Sequence, residues 1–524
     1  MRTPMSLCLA VAALVVGLAV CPASAGWEEE LEGLLAVGEE IDTGAVVRSI
    51  VQQDPDWRDI AEKIQSAPRP DAAGVGEAVL RTTVCIDSVE RPWVLSVPAS
   101  YDPAVPTPLL MAVHGGVGRA DLFDDPMGYV AEDETAALAM EHGWIAVYPF
   151  GQAGATWWDE VGMANIRGLI RTVKREFNID DDRVWMGGFS DGASAGFTHA
   201  MLEPSDYAAF VALNGHMGVP SLDGDLPVYA PNMAATPIYA TTTFDDGLYP
   251  SRKMRATIEM ARAAGADIHY REFPGTHDFN DVVDALPSIA RFLDRHPRDP
   301  FPSRICWEAG DAEFGQCRWL SIDRITIEDP APWHEEHNAT LVDDRVTIGF
   351  QPDYEFEGPG IRVGVLSDGD YPARNIGLHA GDVIVRSDDA RMDSLPDLND
   401  WKDTVERGDD FEMAVLREGE EVVLRGELPE PSAYLVFKRD VPSGAIRASF
   451  AANHLTVETS RVGAFRVLVH PDMVTLGQNL VIEVDGEVVF DEVVQPDIGF
   501  MLENYIENRD RSLLYVAEVV VDLE

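Results

Sequence analysis

Gly187-Gly-Phe-Ser-Asp-Gly-Ala-Ser-Ala-Gly196 sets one serine, Ser190, between two glycines directly after the apolar run Val184-Trp-Met186. A serine nucleophile must stand clear of a strand end on a very sharp turn. The residues two before and two after it can then carry almost no side chain, and Gly188-x-Ser190-x-Gly192 meets that requirement. A Gly/Ser-rich loop would spell the same letters, so the reading rests on what surrounds the motif.

Upstream, strand and helix patterns alternate. Leu80–Asp87 and Pro92–Val97 read as a strand pair, Pro108–Val113 as a buried strand and Ala131–Glu141 as a helix. Trp144–Tyr148 is a further buried strand, Ala164–Phe177 a helix, and Val184–Met186 the strand before the serine. This alternation predicts an α/β domain, a mostly parallel sheet with helices on both faces. Such sheets gather their chemistry at the carboxyl ends of the strands.

Three requirements follow for a serine mechanism. An oxyanion needs backbone N–H donors, from the residue after the nucleophile and from a glycine-rich loop after an earlier strand. Asp191 and Gly116, the latter in His114-Gly-Gly116, fill those places. A histidine should follow the last strand, and His277 does so in Phe273-Pro-Gly-Thr-His277. His269, His199 and His216 are less well placed, within a strand, within the helix after the serine, and in Asn214-Gly-His216. A carboxylate should orient the imidazole, and Asp245 and Asp246 both stand at the end of the strand Pro237–Thr243.

Residues 79–298 resemble the α/β-hydrolase superfamily, specifically the secreted esterase group that includes polyhydroxybutyrate depolymerases and feruloyl esterases. The resemblance is carried by His114-Gly-Gly116, by Ile179–Val184 leading into Gly188-Phe-Ser-Asp-Gly192, by Asp246-Gly-Leu-Tyr-Pro250, and by Phe273–His277. It implies a Ser190-Asp246-His277 triad, because the acid of that group precedes a proline by four positions. The group has an aliphatic residue before that proline where this chain has Tyr249. The implied chemistry is ester hydrolysis through an acyl-enzyme, with no cofactor and no metal. Trp157 and Trp158 are candidates for an acyl or aromatic pocket, or for plain core.

Residues 344–430 resemble a PDZ domain of the bacterial type, through Thr347-Ile-Gly-Phe350, Gly360–Val363, Ala373, Gly377-Leu-His-Ala-Gly-Asp-Val-Ile384, Gly408-Asp409 and Val415–Gly419. The resemblance implies binding of a peptide or protein C-terminus by strand addition, the carboxylate cupped by Ile348, Gly349 and Phe350. A unit used only for packing is the competing reading. His334-Glu-Glu-His337 is one residue short of the zinc-protease spacing and reads as a solvated turn. No phosphate loop or dinucleotide fingerprint appears.

A chain of 524 residues exceeds one core. Residues 1–25 read as a signal peptide ending Ala23-Ser-Ala25, with an apolar run too short for a stable membrane span, so the protein is expected to be exported, to the periplasm or beyond. A helical prefix (26–75), the α/β-hydrolase domain (76–298), a β-rich connecting segment (299–343), the PDZ-like unit (344–430) and a mainly β C-terminal region (431–524) complete the expected order. Export makes a hairpin disulfide between Cys306 and Cys317 an expectation, with two buried thiols as the alternative and Cys85 as a core residue. The net charge of −50 repels nucleic acid and anionic lipid, which excludes both as partners. Two other functions compete with ester hydrolysis: a prolyl-oligopeptidase-like peptidase, and an inert hydrolase scaffold whose PDZ-like unit recruits partners.

Overall fold

The described residues before position 67 include three short helices, α1 (Trp27–Leu35), α2 (Thr43–Gln52) and α3 (Trp57–Ser66). Each buries an apolar stripe: Leu31 and Leu34, Val47 and Ile50, Ile60 and Ile64. Asp42 and Asp56 cap α2 and α3 by accepting the N–H groups of Ala45 and Arg58, at 2.9 Å each. These helices belong to the first of two compact units, residues 1–67 and 68–524. The computed structural model describes residues 26–36, 42–67, 74–118, 124–367 and 369–523; the expected signal peptide lies outside the described residues. Among the described residues no helix is long and apolar enough to cross a membrane.

The second unit is built around an eight-stranded sheet. Its strands are β1 (Ala78–Val84), β2 (Glu90–Ser96), β3 (Thr107–Val113), β4 (Ile145–Pro149), β5 (Ile179–Phe189), β6 (Ala209–Leu213), β7 (Ile238–Thr243) and β8 (Ile268–Phe273), in the order β1-β2-β4-β3-β5-β6-β7-β8. The pairs β1/β2 and β2/β4 are antiparallel and the other five parallel. The helices are α4 (Pro126–Glu132), α5 (Glu134–His142), α6 (Glu160–Glu176), α7 (Asp191–Leu202), α8 (Val219–Leu222), α9 (Ser251–Ala263) and α10 (Leu286–Arg295). Two apolar clusters occupy the two faces of the sheet, as a doubly covered sheet requires: Leu109, Met111 and Met186 lie in one, Leu110, Ala112 and Trp185 in the other. This is the mixed sheet that the α/β-hydrolase resemblance implies. One expected helix, Ala131–Glu141, divides at Asp133, whose carboxylate accepts from Thr135 and Ala136 N–H and so starts α5 afresh.

Beyond the sheet, β9 (Arg304–Ala309), β10 (Gln316–Cys317) and β11 (Leu320–Ile325) do not form a separate connector. After β11 the stem strand β12 (Thr340–Asp343) opens an inserted unit of β13 (Phe350–Pro352), β14 (Ile361–Leu366), α11 (Pro372–Asn375), β15 (Val383–Ser387), β16 (Ala390–Arg391), α12 (Leu395–Lys402), β17 (Asp410–Arg417) and β18 (Glu420–Glu427). The second stem strand, β19 (Ser432–Leu435), pairs antiparallel with β12. Then β20 (Gly444–Ala451), β21 (His454–Ser460), β22 (Val462–Val469), β23 (Asn479–Val484), β24 (Glu487–Val493), α13 (Ile498–Asn508) and β25 (Ala517–Asp522) complete the chain. The sheets β10-β11-β22-β25 and β24-β23-β21-β20-β9 share one core containing Trp307, Trp319, Phe465 and Tyr515. The expected connecting segment and C-terminal region are thus two parts of one β-sandwich, interrupted by the inserted unit.

The expected Cys306–Cys317 hairpin is not formed. Cys306 lies in β9, which pairs with β20, whereas Cys317 lies in β10, which pairs with β11 in the other sheet. Both are free thiols, as is Cys85, and burial pushes the Cys317 thiol up to about 12. The turn Ala312–Phe314 carries the chain between layers instead of folding it back on itself.

Candidate active site

Ser190 follows β5 and precedes α7 with φ +59° and ψ −115°, a sparsely populated conformation for a non-glycine residue. Its flanking glycines are dictated by contact. A Cβ on Gly188 would lie 1.8 Å from Val113 O, and one on Gly192 2.0 Å from the same oxygen. The turn is therefore wedged against the end of β3, and its strain is held by packing on both sides.

The Ser190 hydroxyl lies 2.8 Å from His277 Nε2, and His277 Nδ1 lies 2.8 Å from Asp246 Oδ2. These residues arrive from the carboxyl ends of β5, β8 and β7, the edge that the sheet direction marks out. Asp246 is buried; Leu248 and Tyr249 N–H both donate to its Oδ1 at 2.7 Å. Burial alone would raise its pKa, but the hydrogen bonds from His277 and from these amides outweigh it and hold the carboxyl below its usual range. Asp245 is exposed; its backbone N–H donates to Gly275 O, and among the described residues its carboxylate enters no such line.

Asn214, which the sequence reading passed over, completes the acid's surroundings. Its Nδ2 donates to Asp246 Oδ2 at 3.2 Å and to Thr243 Oγ1 at 2.8 Å, while Thr241 Oγ1 donates to its Oδ1 at 3.1 Å. Asn214 sits at φ +54°, a conformation asparagine tolerates better than most, and the Asn-Gly pair was the one signal available.

The turn after β3 is pinned at several atoms. Gly151 N–H donates to His114 Nε2 at 2.9 Å, so the ring proton is on Nδ1, which donates to Gly115 O at 2.7 Å. Trp157 Nε1 donates to His114 O at 2.8 Å. A Cβ on Gly115 would lie 3.6 Å from Ser190 Oγ, which sets this turn directly against the Ser190 hydroxyl. Gly116, at φ +75°, stands beside it, and its amide, with that of Val117, is directed at the Asp191 carboxylate, so it is not the free oxyanion donor the sequence suggested: the one N–H is already taken by a neighbouring carboxylate. The N–H of Asp191 opens α7, where no intrahelical acceptor exists.

The two tryptophans are core residues in this structure. Trp157 is fully buried, and Trp158 is nearly so, with its Nε1 donating to Asp223 Oδ2 at 2.8 Å. Their indole N–H groups need partners once buried, and those partners turn the rings inward from the pocket the sequence suggested. A cavity of about 340 Å³ does border the turn, lined by His114, Gly115, Phe189, Tyr129, Tyr148 and Phe279. The Phe189 ring also lies 4.9 Å from the His277 ring, tilted by 42°, and Tyr249 meets His277 edge-on at 5.8 Å.

The other histidines are placed elsewhere. His199 is buried in α7 beside Glu203, and His269 points outward from β8 near Tyr239 and Phe292. His216 is buried, accepts from Gly218 N–H at 2.7 Å, and is pushed down to about 4 by that burial. His334 is not in a solvated turn: its Nδ1 lies 2.9 Å from Ser460 Oγ and its Nε2 3.1 Å from Glu308 Oε1, in largely buried surroundings. Among the described residues no group of three or more His, Cys, Asp or Glu could hold a metal ion.

In the inserted unit, Ile348 and Gly349 are buried just before β13, an edge strand of the sheet β13-β14-β15-β17-β18. Ile348 O accepts from Ala373 N–H at 2.8 Å and Gly349 O from Ser367 N–H at 3.0 Å, while Phe350 opens β13 opposite Leu366.

No family model matches the chain. It is similar to a bifunctional acetylxylan esterase/xylanase of Neocallimastix patriciarum, 33% identical over 113 residues, which are 21% of this chain and 16% of that protein. It is also similar to acetylxylan esterase A of Aspergillus oryzae, 27% identical over 124 residues, 22% of this chain and 38% of that one. The matched stretch thus spans well under half the length of these relatives. Among solved structures, a thermostable esterase aligns with 42% of this chain and 63% of its own at 20% identity and a TM-score of 0.35. A ferulic acid esterase aligns with 42% of this chain and 97% of its own at 15% identity and the same TM-score.

Proposed function

We propose that the protein is an exported serine hydrolase that cleaves carboxylic esters, with Ser190 as nucleophile, His277 as general base and Asp246 as the acid that orients it. The observation that carries the reading is the unbroken line Ser190 Oγ–His277–Asp246, with 2.8 Å at each step and a positive-φ serine at its head. The sequence similarity to esterases supports it.

In the reaction so read, His277 Nε2 accepts the Ser190 proton as Oγ attacks the ester carbonyl, and Asp246 stabilises the imidazolium. The carbonyl oxygen becomes an anion facing the Asp191 amide at the start of α7. Collapse expels the alcohol, which takes the proton from His277. Water, deprotonated by the same ring, then releases the acid and regenerates Ser190.

The inserted unit is read as a PDZ-like module whose open β13 edge and the turn at Ile348–Phe350 take an extended peptide or protein C-terminus. Export rests on the pattern of residues 1–25.

The test is turnover of short-chain, long-chain and aromatic esters beside aminoacyl amides, by protein starting at Gly26 and by its Ser190→Ala variant. Ester turnover lost by about 10⁴-fold or more on substitution supports the reading. Amide turnover in place of ester turnover would favour a peptidase. A folded protein that turns over neither would favour the inert scaffold.

A further inference from the structure

We propose that the cleft between the outer face of strands β9, β20 and β21 and the connection from α8 to β7 is a binding site for a small organic carboxylate, held by Arg304, Arg447 and the buried Arg318. The proposal is independent of the ester-hydrolysis reading and of the Ser190 site.

Strand periodicity builds one wall of the cleft. Ile305, Trp307, Ile446, Ala448, Leu455 and Val457 are buried in the sandwich core, so the residues between them face outward. Register then sets Arg447 opposite Cys306 and Glu458, and Ser449 opposite Arg304 and Thr456. Ala234, Ala235, Pro302 and Arg318, the last in the turn between β10 and β11, complete a cavity of about 570 Å³. That volume suits a small organic ligand.

The charges in this cleft do not cancel. In a chain with a formal charge of −50, three arginines line it against one carboxylate, Glu458. Arg318 is 2% exposed and donates to Ser205 O, Tyr207 O and Thr236 Oγ1, none of them charged. Its Nε is buried without a partner, and among the described residues no carboxylate forms an ion pair with it. Arg447 lies 4.4 Å over the Trp333 ring and donates to Trp333 O at 3.2 Å; neither it nor Arg304 forms an ion pair with a described residue.

Burial lowers the Arg318 pKa to about 10, with Arg298 adding to the fall, so the group is still charged near neutral pH. Burial raises the Cys306 thiol, which stays neutral there and supplies no counter-charge. A buried charge without a partner is unfavourable, and an anion in the cleft relieves it. A carboxylate suits guanidinium groups because its two oxygens accept side by side from their N–H donors. The organic body would then cover Ala234, Ala235, Pro302 and Ile305.

The experiment titrates 3-phenylpropionate and its uncharged counterpart, 3-phenylpropan-1-ol, into the protein starting at Gly26, by calorimetry. Physiological salt is used, so that acidic side chains more than about 8 Å away are largely screened. The carboxylate is expected to bind with a Kd of about 1 mM or below, and the alcohol about tenfold or more weaker. Arg304 and Arg447 are exposed, so the double variant Arg304→Gln/Arg447→Gln is expected to keep its thermal midpoint and to bind the carboxylate about tenfold or more weaker. Arg391→Gln, which removes an exposed arginine of the inserted unit, is expected to leave the affinity within about twofold of wild type. Equal binding of acid and alcohol, carboxylate binding that survives the double substitution, or an Arg391→Gln variant as weak as the double one would overturn the proposal. So would wild type that binds no carboxylate at about 10 mM.

Discussion

Lys174 and Asp510, 336 positions apart, meet as a buried ion pair at 3.0 Å. Arg298 donates to the same carboxylate at 2.8 and 3.1 Å and to Asp182, while Lys174 also reaches Asp181 at 3.1 Å. The segment after α13 is thereby locked to the eight-stranded sheet by charges that leave water together. Removing one partner strands the others, so Asp510→Asn is expected to cost about 3–5 kcal/mol of stability, read as a lowered thermal midpoint.

The same cluster gives a pH dependence. Burial would raise the Asp510 carboxyl, but Arg298 and Lys174 outweigh it and hold the group well below the carboxylate range. A folded pKa below the unfolded one gives stability that is complete above about pH 4 and is lost as pH falls toward the folded value. Asp181 works the other way, raised by burial and by Asp510. Acid unfolding should therefore be steeper in wild type than in Asp510→Asn, by midpoint against pH; equal slopes would contradict the assignment.

Asn214 links Asp246 to Thr243 and Thr241, so it holds the acid in register with His277 without touching the serine. Loss of a hydrogen bond to a charged group costs about 1.5–3 kcal/mol, on the order of 10–100-fold if it is felt in the transition state. Asn214→Ala is expected to lower kcat on a short-chain ester by that order, with KM little changed. A rise in KM at constant kcat would instead place Asn214 in substrate binding.

Much of this site was legible because its chemistry is local in sequence. Ser190 needs small neighbours two residues away on each side, and His114, Asp246 and His277 follow apolar strands that announce themselves. Asn214 was not legible, because its role appears only once β6 and β7 lie side by side, and Ala209–Leu213 is an apolar run without periodicity. Trp157 and Trp158 misled for a related reason: the sequence places them on a loop near the site, whereas the partners of their indole N–H groups decide which way they face. The two-part sandwich was hidden because an insertion of nearly ninety residues, 344–431, separates strands that pair in space.

Cys306 and Cys317 sit in opposite layers as free thiols, so neither contributes a cross-link to stability. The thermal midpoint is expected to be the same with and without reductant. Thiol titration of the denatured, unreduced chain starting at Gly26 should count Cys85, Cys306 and Cys317 as three free groups. A single titratable thiol would show that a bridge forms.

The inserted unit hangs on a stem whose register makes it removable. Thr340 pairs with Leu435 and Asp343 with Ser432, so the chain enters and leaves 344–431 at adjacent positions on a two-stranded ladder. Leu341 is buried in the core of the eight-stranded sheet, with Tyr434 packed against it, which anchors the stem independently of what it carries. Outside the stem, Asp344 pairs with Arg252 and Lys253 at exposed positions, where ion pairs contribute about 1 kcal/mol or less. The unit's own core, with Ile361, Ile384, Trp401 and Met413, is separate. Joining Asp343 to Ser432 through a two-residue Asn-Gly turn, which suits an antiparallel pair, should therefore leave a folded protein. Its kcat/KM on a short-chain ester is expected within about threefold of wild type, since distant independent sites add with small coupling. A much larger loss in a folded variant would show that the inserted unit takes part in ester hydrolysis.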